Sequence, residues 1–383
     1  MKITLDRKDQ AQVEMVKLMA SKDRNEAYDA QLAVATLLGP VLAEVINNAP
    51  TLSNLFSTFS YDEDDNPSIP VDLYYDILDE DYIKVYSQGA PGGLPTNHVQ
   101  PTFSELKFVT YTLDTAISFD KKYAQRSRLD VVGKSMTRLA QEILLKQETT
   151  SANLLLTALA NAQTNGSDDT DRHVSRSAQA DRFLLEDINK LFTKMKRINT
   201  SWVNGTPAGQ RRGLTDLIVS PEIVEQIRSM AYNPINTVDS DGSASSGADS
   251  GLAAPSVIRE KLFSQSGFSE FFGVSIMEIN ELGDGRKWNS VFDTLAGATA
   301  YDNHGSTTAS SVFAGATEQV IIGLDKSRES LLRAVQVGSE NGSEFSLTPD
   351  DQFSDRQKRI GFWGGLEEGR MVLDDRALVG LIV

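Results

Sequence analysis

The sequence predicts an α+β chain whose elements reach outward rather than closing on a pocket, and three observations carry that expectation. A one-sided apolar stripe runs from about 128 to 162: Leu129, Val132, Met136, Leu139, Ile143, Leu154, Leu155, Ala158 and Leu159. At 1.5 Å per residue it makes a helix roughly 50 Å long. Directly before it, residues 103–119 alternate: Val109, Tyr111, Leu113, Thr115 and Ile117 form the apolar face of a strand. Before that, residues 62–81 hold nine acidic residues and no Lys or Arg. Such a run has no reason to bury itself in its own domain and reads as an extended, protruding hairpin or loop.

A length of 383 residues supports two to three domains or one large elaborated one, and a composition 40% hydrophobic and 23% charged excludes wholesale disorder. Cysteine is absent, so disulfides, thiolate metal sites and Cys nucleophiles are excluded. The three histidines, His98, His173 and His304, share no ligand spacing. A net charge of −16 disfavours binding of nucleic acid or anionic membrane by bulk charge. No bilayer-spanning run and no secretory leader are read, and the default expectation is cytoplasmic.

The elements follow in order. Residues 1–50 read as helical, with Leu37, Leu38, Val41, Leu42, Val45 and Ile46 as a stripe stopped by Asn47-Asn48-Ala49-Pro50. Tyr61 to Pro67 is an acidic turn, and Gly89 to Pro95 a turn cluster. After the long helix and a polar loop at 163–181, residues 184–198 form an amphipathic helix. Leu214 to Val219 is a buried strand, and Ser220-Pro221-Glu222 opens another helix with Ser as N-cap, Pro at the first position and an acid in the first turn. Residues 237–256 are a loop rich in Ser, Gly, Asp and Ala. Residues 271–279 and 320–324 are strands, and 360–363, 370–373 and 379–383 end the chain as short strands.

Motifs of chemistry fail on inspection. Gly133-Lys134-Ser135 matches the tail of a phosphate-binding loop, but Arg128 stands where the first Gly belongs, and the triplet lies inside a helical stripe. Asp62 to Asn66 starts like a calcium loop, yet Pro67 replaces its Gly and Leu73 its closing Glu. Glu367-Glu368 and Asp374-Asp375 are adjacent acids, which on a strand face opposite ways. Trp202, Trp288 and Trp363 are isolated and read as core or interface. No catalytic residue, cofactor or metal ligand is assigned.

The order of elements resembles the major capsid protein family of tailed bacteriophages, the Hong Kong 97-type fold. Residues 101–120 look like that family's strand leaving the E loop, 217–227 like its axial-domain strand and helix, and 364–377 like its closing strand pair. The resemblance implies an N-terminal arm at 1–59, an E loop at 60–106, a peripheral domain at 107–199 with its spine helix at about 128–162, an axial domain at 200–320, and a return to the peripheral domain over 321–383. It further implies a homo-oligomeric shell of hexamers and pentamers enclosing DNA without sequence-specific binding. A separate scaffolding protein, a portal protein and a decoration or cement protein would be its partners. The acidic loop, with Asp62, Glu63, Asp64 and Asp65, is expected to meet cations of a neighbouring subunit, drawn from Lys121, Lys122, Arg126, Arg128, Lys134 and Arg138. Some relatives are cross-linked by a Lys, an Asn and a buried Glu. Here Lys84 could supply the amine and Glu367 the base, but no Asn occurs after Asn341, and Gln357 is one methylene too long. Two other readings stay open: an encapsulin-type nanocompartment shell, which shares the fold, and a cytoplasmic hydrolase.

Overall fold

The computed structural model describes residues 10–47, 49, 51–62, 64–70, 105–126, 128–163, 172–177, 179, 181–198, 213–229, 270–271, 273–302, 310–337, 344–350 and 357–383. The chain forms two compact units. The first comprises Met1–Tyr74, Gln100–Ala152 and Leu331–Met371, the second Tyr75–Val99, Asn153–Ser330 and Val372–Val383.

The first unit opens with two helices, α1 (Gln10–Leu18) and α2 (Arg24–Asn47). Asp23 caps α2, its carboxylate accepting from Asn25 N–H at 3.1 Å. The inward stripe of α2 is Ala27, Ala30, Val34, Leu38, Leu42 and Ile46. Leu37 and Val41, expected inside, are 55% and 41% exposed. They stand one residue ahead of the four-residue repeat 34–38–42–46, about 100° round the helix. A second correction concerns membranes. Over an 18-residue window α2 has a mean hydropathy of 1.5, so by length and composition one helix is able to span a bilayer. In this unit its apolar side chains share a core instead with those of α1 and of residues 132–143.

The first sheet has five strands. β1 (Ser57–Tyr61) runs parallel to β12 (Leu331–Gln336), which joins β14 (Arg359–Val372). β13 (Ser346–Asp350) and β4 (Thr110–Asp120) are both antiparallel to β14. The β4–β14 ladder is long, running from Asp120 opposite Arg359 to Thr110 opposite Gly369. A two-stranded ribbon of β2 (Ser68–Pro70) and β3 (Glu105–Lys107) forms the base of the expected hairpin; residues 71–104 lie outside the described residues.

The strand expected over 103–119 is broken at Phe108-Val109. Phe108 N–H donates to Pro67 O at 3.0 Å, and its ring meets Phe59 edge-on at 5.1 Å. Val109 is therefore 84% exposed instead of sharing the inward face of Leu113 and Ile117. The separate strands expected at 360–363 and 370–373 are one strand, β14. Gly364 and Gly365, in the gap between those two expected strands, are places of close approach: a Cβ on Gly364 would overlap the Phe345 ring.

After the short α3 (Lys121–Gln125), α4 (Leu129–Asn161) is the 33-residue helix predicted. Residues 129–152 belong to the first unit, where Val132, Met136, Leu139, Ala140 and Ile143 enter its core. Residues 153–161 belong to the second, where Leu155, Leu156 and Leu159 are buried.

The second unit is built on a six-stranded mixed sheet, ordered β5 (Val174–Arg176), β15 (Leu378–Ile382), β11 (Val320–Leu324), β6 (Asp216–Val219), β8 (Val274–Glu278) and β7 (Glu270–Phe271). Its core includes α5 (Leu185–Ile198), and α6 (Pro221–Ser229) follows β6. Ser220 caps α6 as expected, accepting from Ile223 N–H at 3.3 Å. The strand expected over 271–279 is a hairpin, turned at Gly273 with φ 79°. α7 (Lys287–Ala296), β9 (Ala300–Asp302) and β10 (Ser310–Val312) complete the unit. β11 and β15 pair with each other and β11 with β6; β11 and β15 are buried along their whole length and fill the middle of this sheet.

In this unit His173 is fully buried, and its Nδ1–H is shared between the carbonyls of Asp375 and Leu378, each at 3.1 Å. Burial holds its pKa below the ordinary 6.5, opposed by Asp375 and assisted by Lys194. The native ring is neutral, so its contribution is present above pH 6.5 and is lost as pH falls through the depressed native value. The melting temperature of the second unit should fall between pH 7 and pH 5, and His173→Gln should flatten that part of the profile in a calorimetric series.

Candidate functional site

The described residues contain a buried charged cluster, and all of it belongs to the first unit. Its centre is Glu368 on β14, with no exposed surface. β-strand alternation turns residues 368 and 370 to the same face, so Glu368 and Arg370 are neighbours by construction. The Glu368 carboxylate accepts from Arg333 Nε at 2.8 Å, Arg370 Nε and Nη2 at 3.1 Å each, Tyr111 OH at 2.8 Å and Gln147 Nε2 at 3.1 Å. Arg370 also donates to Ser151 Oγ and, at 2.6 Å, to Ser53 Oγ, and lies 5.3 Å from the centre of the Phe56 ring. Arg333 donates to Asn47 Oδ1 at 3.2 Å and approaches Glu344 at 3.8 Å, while Asn47 Nδ2 bonds Glu344 at 2.9 Å. The cluster thus joins α2, the turn after it, β4, α4, β12, the approach to β13, and β14.

Burial pushes the Glu368 pKa up, but Arg370 and Arg333, with hydrogen bonds from Arg370 and Tyr111, outweigh it and hold the carboxyl below the usual range. Burial and the neighbouring carboxylate push the Tyr111 phenol up to about 12. A carboxylate held ionised by two guanidinium groups is a poor general base, since proton abstraction needs a pKa near the working pH. The arrangement is a structural clamp. Sequence reading missed it by weighing Glu367 and Glu368 only as adjacent residues. The Glu-x-Arg spacing on a strand was the available signal.

Glu367, taken as the candidate base, is on the other face and half-buried, accepting from Tyr61 OH at 3.2 Å. The buried glutamate is its neighbour. Burial and Glu367 push the Tyr61 phenol up to about 12. Gln357 is exposed. Lys84, Glu63 and Trp202 lie outside the described residues. Gly133-Lys134-Ser135 is inside α4, with Gly133 O accepting from Thr137. Trp288 is buried, whereas Trp363 is 44% exposed. Asp62, Asp64 and Asp65 are exposed around a turn closed by Asp65 N–H to Asp62 O at 3.0 Å. Among the described residues no group of His, Asp and Glu is placed to hold a metal ion. Of the expected contact cations, Lys122 pairs with Asp120 at 2.9 Å, Arg128 with Asp130 at 3.9 Å and Arg138 with Glu142 at 2.9 Å; Arg126 and Lys134 are exposed. Such exposed pairs are worth little to stability.

The described chain is thus α+β in two units, with a two-stranded ribbon, a long helix and a buried charged cluster. Solved structures similar to this chain include phage capsids and an encapsulin. The capsid of an empty GTA particle is 11% identical, covers 87% of this chain and 89% of its own, and has a TM-score of 0.47. The capsid of the cyanophage P-SCSP1u is 13% identical over 85% and 86%, with a TM-score of 0.44. The holo-SrpI encapsulin complex from Synechococcus elongatus PCC 7942 is 13% identical over 73% and 75%, with a TM-score of 0.38. No family profile and no curated protein matches the sequence.

Proposed function

We propose that this chain is the major capsid protein of a tailed bacteriophage, assembling through hexamers and pentamers into an icosahedral shell around double-stranded DNA. The observation that supports this reading is the order of the β2–β3 ribbon, the 11-residue β4, the short α3 and the 33-residue α4. A shell subunit needs such reaching elements and a rigid junction beneath them, and the Glu368 cluster supplies the junction. In this reading the chain works with a scaffolding protein, a portal protein and a decoration protein, assembles in the host cytoplasm and resides in the virion. Its shell is held without covalent links: no Asn is present near Ile360, and the buried Glu368 is committed to two arginines.

The test is electron microscopy of the expressed chain with and without a scaffolding partner. Uniform closed shells should form only with the scaffold, and aberrant particles or free capsomers without it. Purified particles boiled in detergent should run as one band near 41.9 kDa. A protein cargo in place of DNA would favour the nanocompartment reading, and a ladder of higher species would overturn the absence of cross-links.

A further inference from the structure

One lysine of the second unit stands where a cation is poorly served. Lys194 is on α5, three residues after Leu191 and four before Ile198, which are both buried, so it lies along the inward edge of the helix. α5 packs there on β15 and on the turn Asp375–Ala377. His173 is bonded to the same turn through the Asp375 carbonyl at 3.1 Å. Lys194 is half-buried in this junction and, among the described residues, makes no ion pair. The neighbouring cations of α5 are paired or solvated: Lys190 holds Glu186 at 2.7 Å, and Lys196 and Arg197 are exposed in the last turn.

An ammonium group without a close counter-ion in a partly dry site is destabilised relative to the free amine. Burial accordingly brings the Lys194 pKa down from 10.5 to about 8, with Asp302 at the end of β9 opposing it. At pH 7.5 about one quarter of such amines are unprotonated, against about one in a thousand at the ordinary value. Nucleophilicity falls with basicity, by roughly 10–20-fold over this interval for a Brønsted slope of about 0.4–0.5. The surplus of free amine outweighs that loss by about tenfold. Partial exposure keeps the side chain within reach of a small reagent.

We propose that Lys194 is a modification site, acylated by small acyl phosphates. The amine lone pair attacks the acyl carbon, and the bond from that carbon to the phosphate oxygen breaks. Phosphate leaves with the electron pair, and the amine proton passes to water. The product is a neutral amide, which the site accommodates better than an ammonium. The change is also felt at His173. Lys194 adds to burial in holding the His173 pKa down, against the Asp375 carboxylate, so acylation relieves part of that depression. A smaller depression means that less stability is lost as pH falls through the native value.

The test is brief treatment of the full chain with acetyl phosphate over a series of pH values, followed by peptide mass spectrometry. At pH 7.5 Lys194 should gain acetyl about tenfold faster than the exposed Lys196. Its rate should level off above about pH 8 while that of Lys196 is still rising at pH 10. In concentrated urea the two rates should be equal. A native rate at Lys194 no greater than at Lys196, or a preference that survives in urea, overturns the proposal. Lys194→Gln, which imitates the amide, should lessen the fall in the melting temperature of the second unit between pH 7 and pH 5, and Lys194→Arg should retain it. An equal fall in the two variants overturns the link to His173.

Discussion

Glu368→Ala should cost about 3–5 kcal/mol in the first unit, enough to unfold it or leave it barely folded. The substitution removes the carboxylate that accepts five hydrogen bonds from Arg333, Arg370, Tyr111 and Gln147. Arg370 is 1% and Arg333 5% exposed at their side chains, so two guanidinium groups would be left buried, with only Glu344 at 3.8 Å as counter-charge. Glu368→Gln keeps the shape and part of the hydrogen bonding but not the charge, and should fall between Ala and the unmodified chain. Urea denaturation followed by fluorescence in a Trp202→Phe/Trp288→Phe background, which leaves Trp363 as the one tryptophan, reports on this unit. The acid profile provides an independent check. The native pKa is depressed, so the stabilisation is present above the ordinary 4.5 and is lost as pH falls through the native value. Glu368→Gln should lose that acid limb. Equal midpoints for Glu368→Ala and the unmodified chain would show that the cluster contributes nothing.

Ending the chain at Ala377 should abolish folding of the second unit. β15 lies inside its sheet, parallel to β5 on one side and antiparallel to β11 on the other. Leu378, Val379, Leu381, Ile382 and Val383 are all buried. At about 1.5–3 kcal/mol for each buried aliphatic side chain, their loss amounts to roughly 10 kcal/mol, comparable to the whole stability of a domain. Val383 also exchanges two backbone hydrogen bonds with Gln319, at 2.8 and 2.9 Å. Limited proteolysis should digest residues 153–330 of the truncated chain while the intact chain resists. Equal resistance would show that the last strand is dispensable.

The long helix, the alternation along β4 and the Ser220 cap were legible because each is a local pattern: a 3.6-residue period, a two-residue period, a side-chain oxygen before Pro. What was not legible depends on partners distant in sequence. Gly364 and Gly365 have the composition of a turn, and only the ring of Phe345 against the first and the Asp114 carboxylate against the second explain why glycine stands in mid-strand. Val109 has the composition of a core residue, and only the bond from Phe108 to Pro67 turns it outward. The inward face of α4 becomes polar at Gln147 and Ser151, which a search for apolar stripes passes over.

The first unit is assembled from the beginning, middle and far end of the chain, and this imposes a schedule on its synthesis. Parallel pairing of β1 with β12 joins Ser57 to Leu332, and the stripe of α2 shares a core with Phe345, Phe362 and Leu366. Ribosomes add about 5–20 residues per second. The roughly 280 residues between α2 and β12 therefore take on the order of 15–60 s to emerge. Throughout that interval Leu38, Leu42 and Ile46 have been made and their last partners have not. The apolar helix that passes the composition test for a membrane therefore emerges long before its core is complete, and its inward face has no full set of partners until β14 has been made.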